Sequence, residues 1–267
     1  MTRITIQDVW SYKARKERFA MLTAYDYPTA AALDKAGIPL LLVGDTLGIF
    51  VQGHDTTIPV TMNAMVYHCE IVVRATRRAL VLGDLPFGSY HTIGEGIQNA
   101  GRLMKEAGVQ AVKLEGRHDE LVRHLTKVGI PVMGHLGLTP QAYHQLGGNK
   151  VQARTTAAAE TLVQDALALE SAGVFAMLLE AIPSVVAREV TAALKVPTIG
   201  IGAGPDCDGQ VLVSADMLGL HTGHSPRFVK RYAQLEESIT AAAGLFAEEV
   251  RSGIYPSADH SYNWALK

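Results

Sequence analysis

Eight short apolar runs, each ended by a polar or glycine-rich stop, constrain this chain more than any other feature. They are Phe19–Tyr25, Pro39–Asp45, Ala79–Asp84, Gln110–Glu115, Pro131–His135, Val174–Glu180, Pro197–Ile201 and Gln210–Ala215. Each has the length of a strand and is apolar on both faces, the pattern of strands buried in a parallel sheet. Helix-period segments lie between several of them: Pro28–Ala36, Gly94–Glu106, Thr156–Ala172 and Pro183–Leu194. Gly37, Gly108, Gly129 and Gly173 each precede the next strand, where a helix-ending left-handed turn favours glycine.

This alternation predicts an α/β fold of the TIM (β/α)8 barrel class. An open, doubly wound sheet is the alternative. At 267 residues the chain has the usual size of one such barrel, so residues 1–267 read as a single domain. The gap between the last two runs is too short for a regular helix of about eleven residues. Ile6–Lys16 reads as an extra amphipathic N-terminal helix that caps the barrel floor. Gly48–Asn63, with Gly53, Pro59 and several threonines, reads as a long loop after strand two, placed to act as a mobile lid.

The formal net charge is −2, and no basic stripe is interleaved with aromatics, which excludes nucleic acid as a main partner. Two cysteines, Cys69 and Cys207, are too few for a disulfide framework and suit a reducing compartment. The amino terminus lacks the apolar stretch of a signal peptide, and no later run could span a membrane. The expectation is a soluble cytoplasmic protein.

In a barrel, the carboxyl ends of the strands converge on one mouth, where catalytic groups collect. Those ends carry Tyr25-Asp26, Asp45, Asp84, Lys113 with Glu115, His135, and Glu180. The period of two places Lys113 and Glu115 on the same face, with Leu114 opposite. Any one acidic residue after a strand can be a helix cap; a whole set at successive strand ends points to chemistry. Asp45, Asp84 and Glu115 come from consecutive strands and offer three hard oxygen ligands with open positions, which suits Mg²⁺. Zinc is disfavoured, because His54, His68 and His91 are scattered and form no closely spaced ligand pair.

Glu180 closes the run Met177-Leu178-Leu179 and precedes Ala181-Ile182-Pro183, an apolar setting that would make its carboxylate a stronger general base. It could equally serve as the N-terminal carboxylate of a helix that starts at Pro183. The run Gly200-Ile201-Gly202-Ala203-Gly204 lacks the spacing of a dinucleotide motif and no convincing helix follows, so it reads as a tight strand exit or a close approach of backbone to ligand.

At these residues the chain resembles the ketopantoate hydroxymethyltransferases. The matching segments include Met21–Asp26, Val43-Gly44-Asp45, Thr57–Thr61, Asp84-Leu85-Pro86-Phe87, Ala111–Gly116, Gly134–Gln141, Leu179–Pro183 and Gly200–Gly204. Cys207–Gln210, Asp216–Gly219 and Tyr255-Pro256 extend the match over nearly the whole chain. The resemblance implies a TIM barrel, Mg²⁺, 5,10-methylenetetrahydrofolate as one-carbon donor and a place in pantothenate and coenzyme A biosynthesis. It also implies a homo-oligomer, up to a decamer. By resemblance Asp45, Asp84 and Glu115 are the metal-site carboxylates and Glu180 is the catalytic base. It implies Lys113 as a substrate-binding residue, and the expected substrate contacts are Asp45, Thr46, Asp84, Lys113 and His135. Thr46 stands where the family usually has serine, His54 replaces a common tyrosine, and Gly83 and Gly88 replace larger residues.

The expected reaction joins 3-methyl-2-oxobutanoate to the one-carbon unit of the folate, giving 2-dehydropantoate and tetrahydrofolate. Lys113 beside carboxylates stays protonated and acts electrostatically rather than as a Schiff-base nucleophile. Two rival readings fit the same residues. One is a metal-dependent carbon–carbon lyase of a related barrel, separable by folate dependence. The other is a barrel that binds metabolites without turnover, separable by an activity assay.

Overall fold

The computed structural model describes residues 2–220, 223 and 225–262. They form two compact units, one ending at Ser214 and the other starting at Ala215. The first unit is a closed barrel of eight parallel strands in chain order, as the alternating runs predict. The chain enters through α1 (Ile6–Arg15), then β1 (Phe19–Thr23), α2 (Tyr27–Lys35) and β2 (Leu40–Val43). Next come α3 (Leu47–Phe50), α4 (Met62–Ala75), β3 (Leu80–Asp84), α5 (Ile93–Lys105) and β4 (Ala111–Glu115). They are followed by α6 (Asp119–Lys127), β5 (Val132–Gly137), α7 (Tyr143–Leu146) and α8 (Thr156–Ala172). The barrel closes with β6 (Ala176–Glu180), α9 (Ser184–Ala193), β7 (Thr198–Ile201) and β8 (Gly209–Leu212).

Local chemistry sets the helix ends. Thr5 caps α1 in a reciprocal capping box with Asp8, and Thr92 does the same for α5 with Glu95. Thr61 and Thr155 cap α4 and α8 through single bonds to the backbone. The four glycines before strands all take positive φ, from 76° at Gly108 to 109° at Gly173. The Gly200 run is a tight strand exit: a Cβ on Gly200 would lie 2.9 Å from Cys207 Sγ, and one on Gly204 2.4 Å from Ser184 Cβ.

The floor is plugged as the sequence predicts. Val9 of α1 is fully buried in the cluster that fills the barrel, with Met21, Leu42, Leu82, Met133 and Leu178. Trp10 Nε1 donates to the carbonyl of Phe175, just below β6, at 2.9 Å. The segment 48–63 is less of a loop than expected. It starts inside α3, and α4 begins at Met62, its remainder folding back so that Gly48 meets Val60 with no room for a Cβ (2.7 Å). No helix among the described residues is long and apolar enough to cross a membrane.

The second unit carries α10 (Ser214–Leu218), which begins at the last residue of the first, and α11 (Leu235–Ser252). No residue of α11 is buried, and its Ile239, Leu245, Phe246 and Val250 are exposed.

Candidate active site

Alternation along the strands decides what faces the barrel axis. Leu80 and Leu82 of β3, Ala111 of β4, Met133 of β5, and Ala176 and Leu178 of β6 all belong to the interior cluster. Continuing each row by twos gives Asp84, then Lys113 and Glu115, then His135, then Glu180. The apolar filling therefore gives way to charge at the carboxyl ends of four neighbouring strands. Register pairs Asp84 with Lys113 and Glu115 with His135, while Glu180 pairs with Gly137, two residues beyond His135.

Asp45 and Thr46 follow β2, and the backbone N–H of Asp45 donates to Asp84 Oδ2 at 3.3 Å. One cavity of about 50 Å³ is lined by Asp45, Thr46, Asp84, Lys113, Glu115, His135 and Glu180, with Thr23, Leu178 and Ile201 among its other walls. The expected metal, substrate and base residues thus meet at one place, whereas Asp26, also at a strand end, does not join them. It is exposed and caps α2, its Oδ1 accepting from Thr29 N–H at 2.8 Å, which is the ordinary role of an aspartate after a strand.

The centre is a buried charge network. Lys113 Nζ lies 2.6 Å from Asp84 Oδ2 and 3.4 Å from Glu115 Oε1. His135 spans two carboxylates, with Nδ1 3.2 Å from Glu115 Oε1 and Nε2 3.3 Å from Glu180 Oε2. Burial followed by repulsion from Asp84 and Glu115 pushes the Asp45 carboxyl well above the usual range. Asp84 is raised as well, chiefly by burial, with Lys113 opposing. Burial alone would raise Glu115, but Lys113 and His135 outweigh it and hold this carboxyl at about 2. Burial would likewise lower His135, yet Glu115 beside it pushes the imidazole up to about 9. Desolvation of Lys113 is overcome by Asp84, Glu115 and Asp45, so its ammonium stays charged, as its sequence neighbours predict.

Glu180 ends β6 facing inward, and α9, whose N-cap is Pro183, receives no side-chain cap hydrogen bond. The helix-cap alternative therefore drops away. Its setting is less apolar than the sequence suggests: 19% of the side chain is exposed, and His135 sits beside it.

Tyr25, at the end of the first strand run, and two residues that the strand ends do not announce, Gln141 and Tyr90, complete the site. Tyr25 OH hydrogen-bonds Thr46 Oγ1 at 2.7 Å, fixing that hydroxyl. Gln141, 6% exposed, donates from Nε2 to Asp45 Oδ2 at 2.9 Å, and Tyr90 OH donates to Gln141 Oε1. Gln141 lies beyond Gly137, whose φ of 95° ends the strand alternation, so counting by twos could not reach it; its place in the segment Gly134–Gln141 was the available signal. Gly83 faces away from the centre, since a Cβ there would lie 3.0 Å from Cys69 Sγ, and His54 is exposed.

Asp45, Asp84 and Glu115 each offer an oxygen, and these oxygens lie within 4.8 Å of one another, a set that could hold a metal ion. Asp84 Oδ1 is buried with no hydrogen-bond partner, an oxygen that a cation would satisfy. Once all three are ionised, the three buried carboxylates against the two cations Lys113 and His135 also leave negative charge for an ion to balance.

A family model described as Ketopantoate hydroxymethyltransferase matches residues 3–258. The 3-methyl-2-oxobutanoate hydroxymethyltransferase of Moorella thermoacetica is 53% identical over 264 residues, covering 98% of both chains. The enzyme of the same name from Gluconacetobacter diazotrophicus is 53% identical over 257 residues, 96% of this chain and 93% of its own. Among solved structures, phosphonopyruvate hydrolase in complex with oxalate and magnesium aligns with a TM-score of 0.63 at 14% identity, covering 97% of this chain and 93% of that one. A 2,3-dimethylmalate lyase of the PEP mutase/isocitrate lyase superfamily aligns at 0.60 and 16% identity, covering 96% and 91%. These two share the barrel. The match along nearly the whole length and the relatives at half identity place this chain in the ketopantoate hydroxymethyltransferase family.

Proposed function

We propose that the protein transfers a hydroxymethyl group from 5,10-methylenetetrahydrofolate, with water, to 3-methyl-2-oxobutanoate, yielding 2-dehydropantoate and tetrahydrofolate for pantothenate biosynthesis. The observation that carries this reading is the convergence of a carboxylate triad, a charged lysine and the Glu180–His135 pair on one cavity. Asp45, Asp84 and Glu115 would hold Mg²⁺, which when bound would polarise the keto oxygen and stabilise the negative charge that develops there.

The protein's own groups do the rest. Lys113 supplies positive charge to the anionic oxo acid, and the Thr46 hydroxyl, fixed by Tyr25, bonds the substrate's oxygens. Glu180 takes the proton from C3, leaving its electron pair in an enolate. The enolate attacks the one-carbon unit, which water has cleaved from the two folate nitrogens at the formaldehyde level. The resulting alkoxide takes up the proton as the product hydroxyl. Protonated His135 stays within 3.3 Å of Glu180 and sets its orientation. The surroundings of α11 support a homo-oligomer, because Phe246, Leu245 and their neighbours are large apolar side chains left exposed on a single copy. We place the protein in the cytoplasm.

The test is an assay with 3-methyl-2-oxobutanoate and methylenetetrahydrofolate, with and without EDTA. Folate-dependent formation of 2-dehydropantoate that EDTA abolishes and Mg²⁺ restores is the expected result. Cleavage of a 2-oxo acid without folate would overturn the reading in favour of a lyase.

A further inference from the structure

Gln141 takes no part in the chemistry above, yet its polar groups are committed to the carboxylate centre. It sits in one turn of 3-10 helix, Pro140–Ala142, just after β5, and is 6% exposed. Nε2 donates to Asp45 Oδ2 and to the backbone carbonyl of Leu85, both at 2.9 Å. Oε1 accepts from the Tyr90 hydroxyl. The backbone N–H of Gln141 donates to Glu115 Oε2 at 3.0 Å. A single residue therefore ties together the chain after β2, the chain after β3 and the end of β4.

The orientation of this amide is forced. The Leu85 carbonyl can only accept, so the nitrogen must face it, and the oxygen is left for the Tyr90 hydroxyl. Tyr90 is itself held: it is 9% exposed and packs edge-on against His118, with ring centroids 5.2 Å apart. One oxygen of each carboxylate is thereby drawn toward Gln141. On Glu115 the other oxygen faces Lys113 and His135.

We infer that Gln141, oriented by Tyr90, is the positioning residue of the acidic centre, tying back one oxygen of Asp45 and one of Glu115 so that the carboxylates present a fixed face to a divalent cation. It acts through Asp45 and Glu115 and does not touch substrate. The inference rests on the metal reading of this centre. Glutamine suits the task better than a charged residue, because it donates to a carboxylate without adding a cation that would compete with the ion. Leucine in its place keeps much of the volume but leaves Asp45 Oδ2 and the Leu85 carbonyl without this donor.

Calorimetric titration of the metal-free full-length protein with Mn²⁺ tests this directly. Removing a partner that orients a ligand typically weakens metal binding by about 10–100-fold. Gln141→Leu is expected to show that loss while keeping its far-UV circular dichroism, and its half-saturating Mg²⁺ for turnover should rise in parallel, with most of kcat recovered at excess Mg²⁺. Tyr90→Phe removes only the orienting hydroxyl, worth about 2–10-fold in affinity, and serves if Gln141→Leu does not fold. Wild-type Mn²⁺ affinity in folded Gln141→Leu, or in Tyr90→Phe where the first variant is unfolded, would overturn the inference and leave the metal reading standing. Absence of Mn²⁺ binding by the wild-type protein would overturn both.

Discussion

Glu180 stands between solvent and His135, an imidazole that Glu115 keeps protonated, so its carboxylate is oriented without being sealed off. Glu180→Gln keeps the shape and leaves Asp45, Asp84 and Glu115 untouched, so oxo acid and divalent ion still bind. Exchange of the C3 proton of 3-methyl-2-oxobutanoate in deuterated water should fall by roughly 10²–10⁴-fold, the usual cost of losing one positioned base. That exchange needs no folate and isolates the step. A variant that exchanges at the wild-type rate would show that the base lies elsewhere, with His135 the next candidate. The residues carrying this chemistry were legible because strand alternation fixes direction: whatever extends the row Leu80, Leu82 or Ala176, Leu178 must face the axis. Asp26 was not separable from Asp45 on the same grounds. Both are aspartates after a strand, and only the contact with Thr29 N–H shows that one is a cap.

Among the elements, β5 and β6 do most to set the mouth. Leu138 N–H donates to the Glu180 carbonyl at 2.8 Å, and Ala181, at φ 46°, donates to the Ile201 carbonyl at 2.9 Å. Gly137 makes this possible: its φ is 95°, and a Cβ there would lie 2.3 Å from the Glu180 carbonyl oxygen. Gly137→Ala should therefore cost more than about 1 kcal/mol of stability and also displace Glu180, cutting turnover. Gly129→Ala is the control, because φ is 87° and nothing lies within 4 Å of the added methyl. It should lose stability by denaturant unfolding but keep activity. Equal activity in the two variants would deny Gly137 any role in holding the base. The eight strands could be read because runs apolar on both faces have few other uses. The outer helices were harder: α6 buries only Leu121, Val122 and Leu125 amid charge, and α4 is entered from a threonine-rich stretch that reads as loop up to its cap, Thr61. The same stretch hid α3.

For the molecule as a whole, the acidic centre couples ion binding to folding. Burial and mutual repulsion raise the carboxyls of Asp45 and Asp84 in the native state. Groups raised on folding favour the native state at low pH, and that contribution is lost as pH rises through their folded pKa values, above the usual carboxylate range. Glu115 works the other way, held at about 2, so its contribution is present above the ordinary glutamate range and disappears only as pH falls through about 2. Where Asp45 and Asp84 are ionised, the metal-free native state thus carries repulsion that a divalent ion relieves. A divalent ion competes with protons for Asp45 and Asp84, so its stabilising effect should grow as pH rises through their titration. An ion at 100 times its Kd that binds only the native state adds about 2.7 kcal/mol. For a domain near this size, about 1 kcal/mol moves Tm by roughly 2–4 °C, so saturating Mg²⁺ should raise Tm by roughly 5–10 °C over protein in EDTA. Asp84→Ala deletes the buried oxygen that lacks a partner, and with it this increment, at every pH where the variant folds. Thermal unfolding with and without Mg²⁺ at two pH values measures both effects. A wild-type Tm that ignores Mg²⁺, or an Asp84→Ala variant that gains as much as the wild type, would remove the centre from the role of ion site.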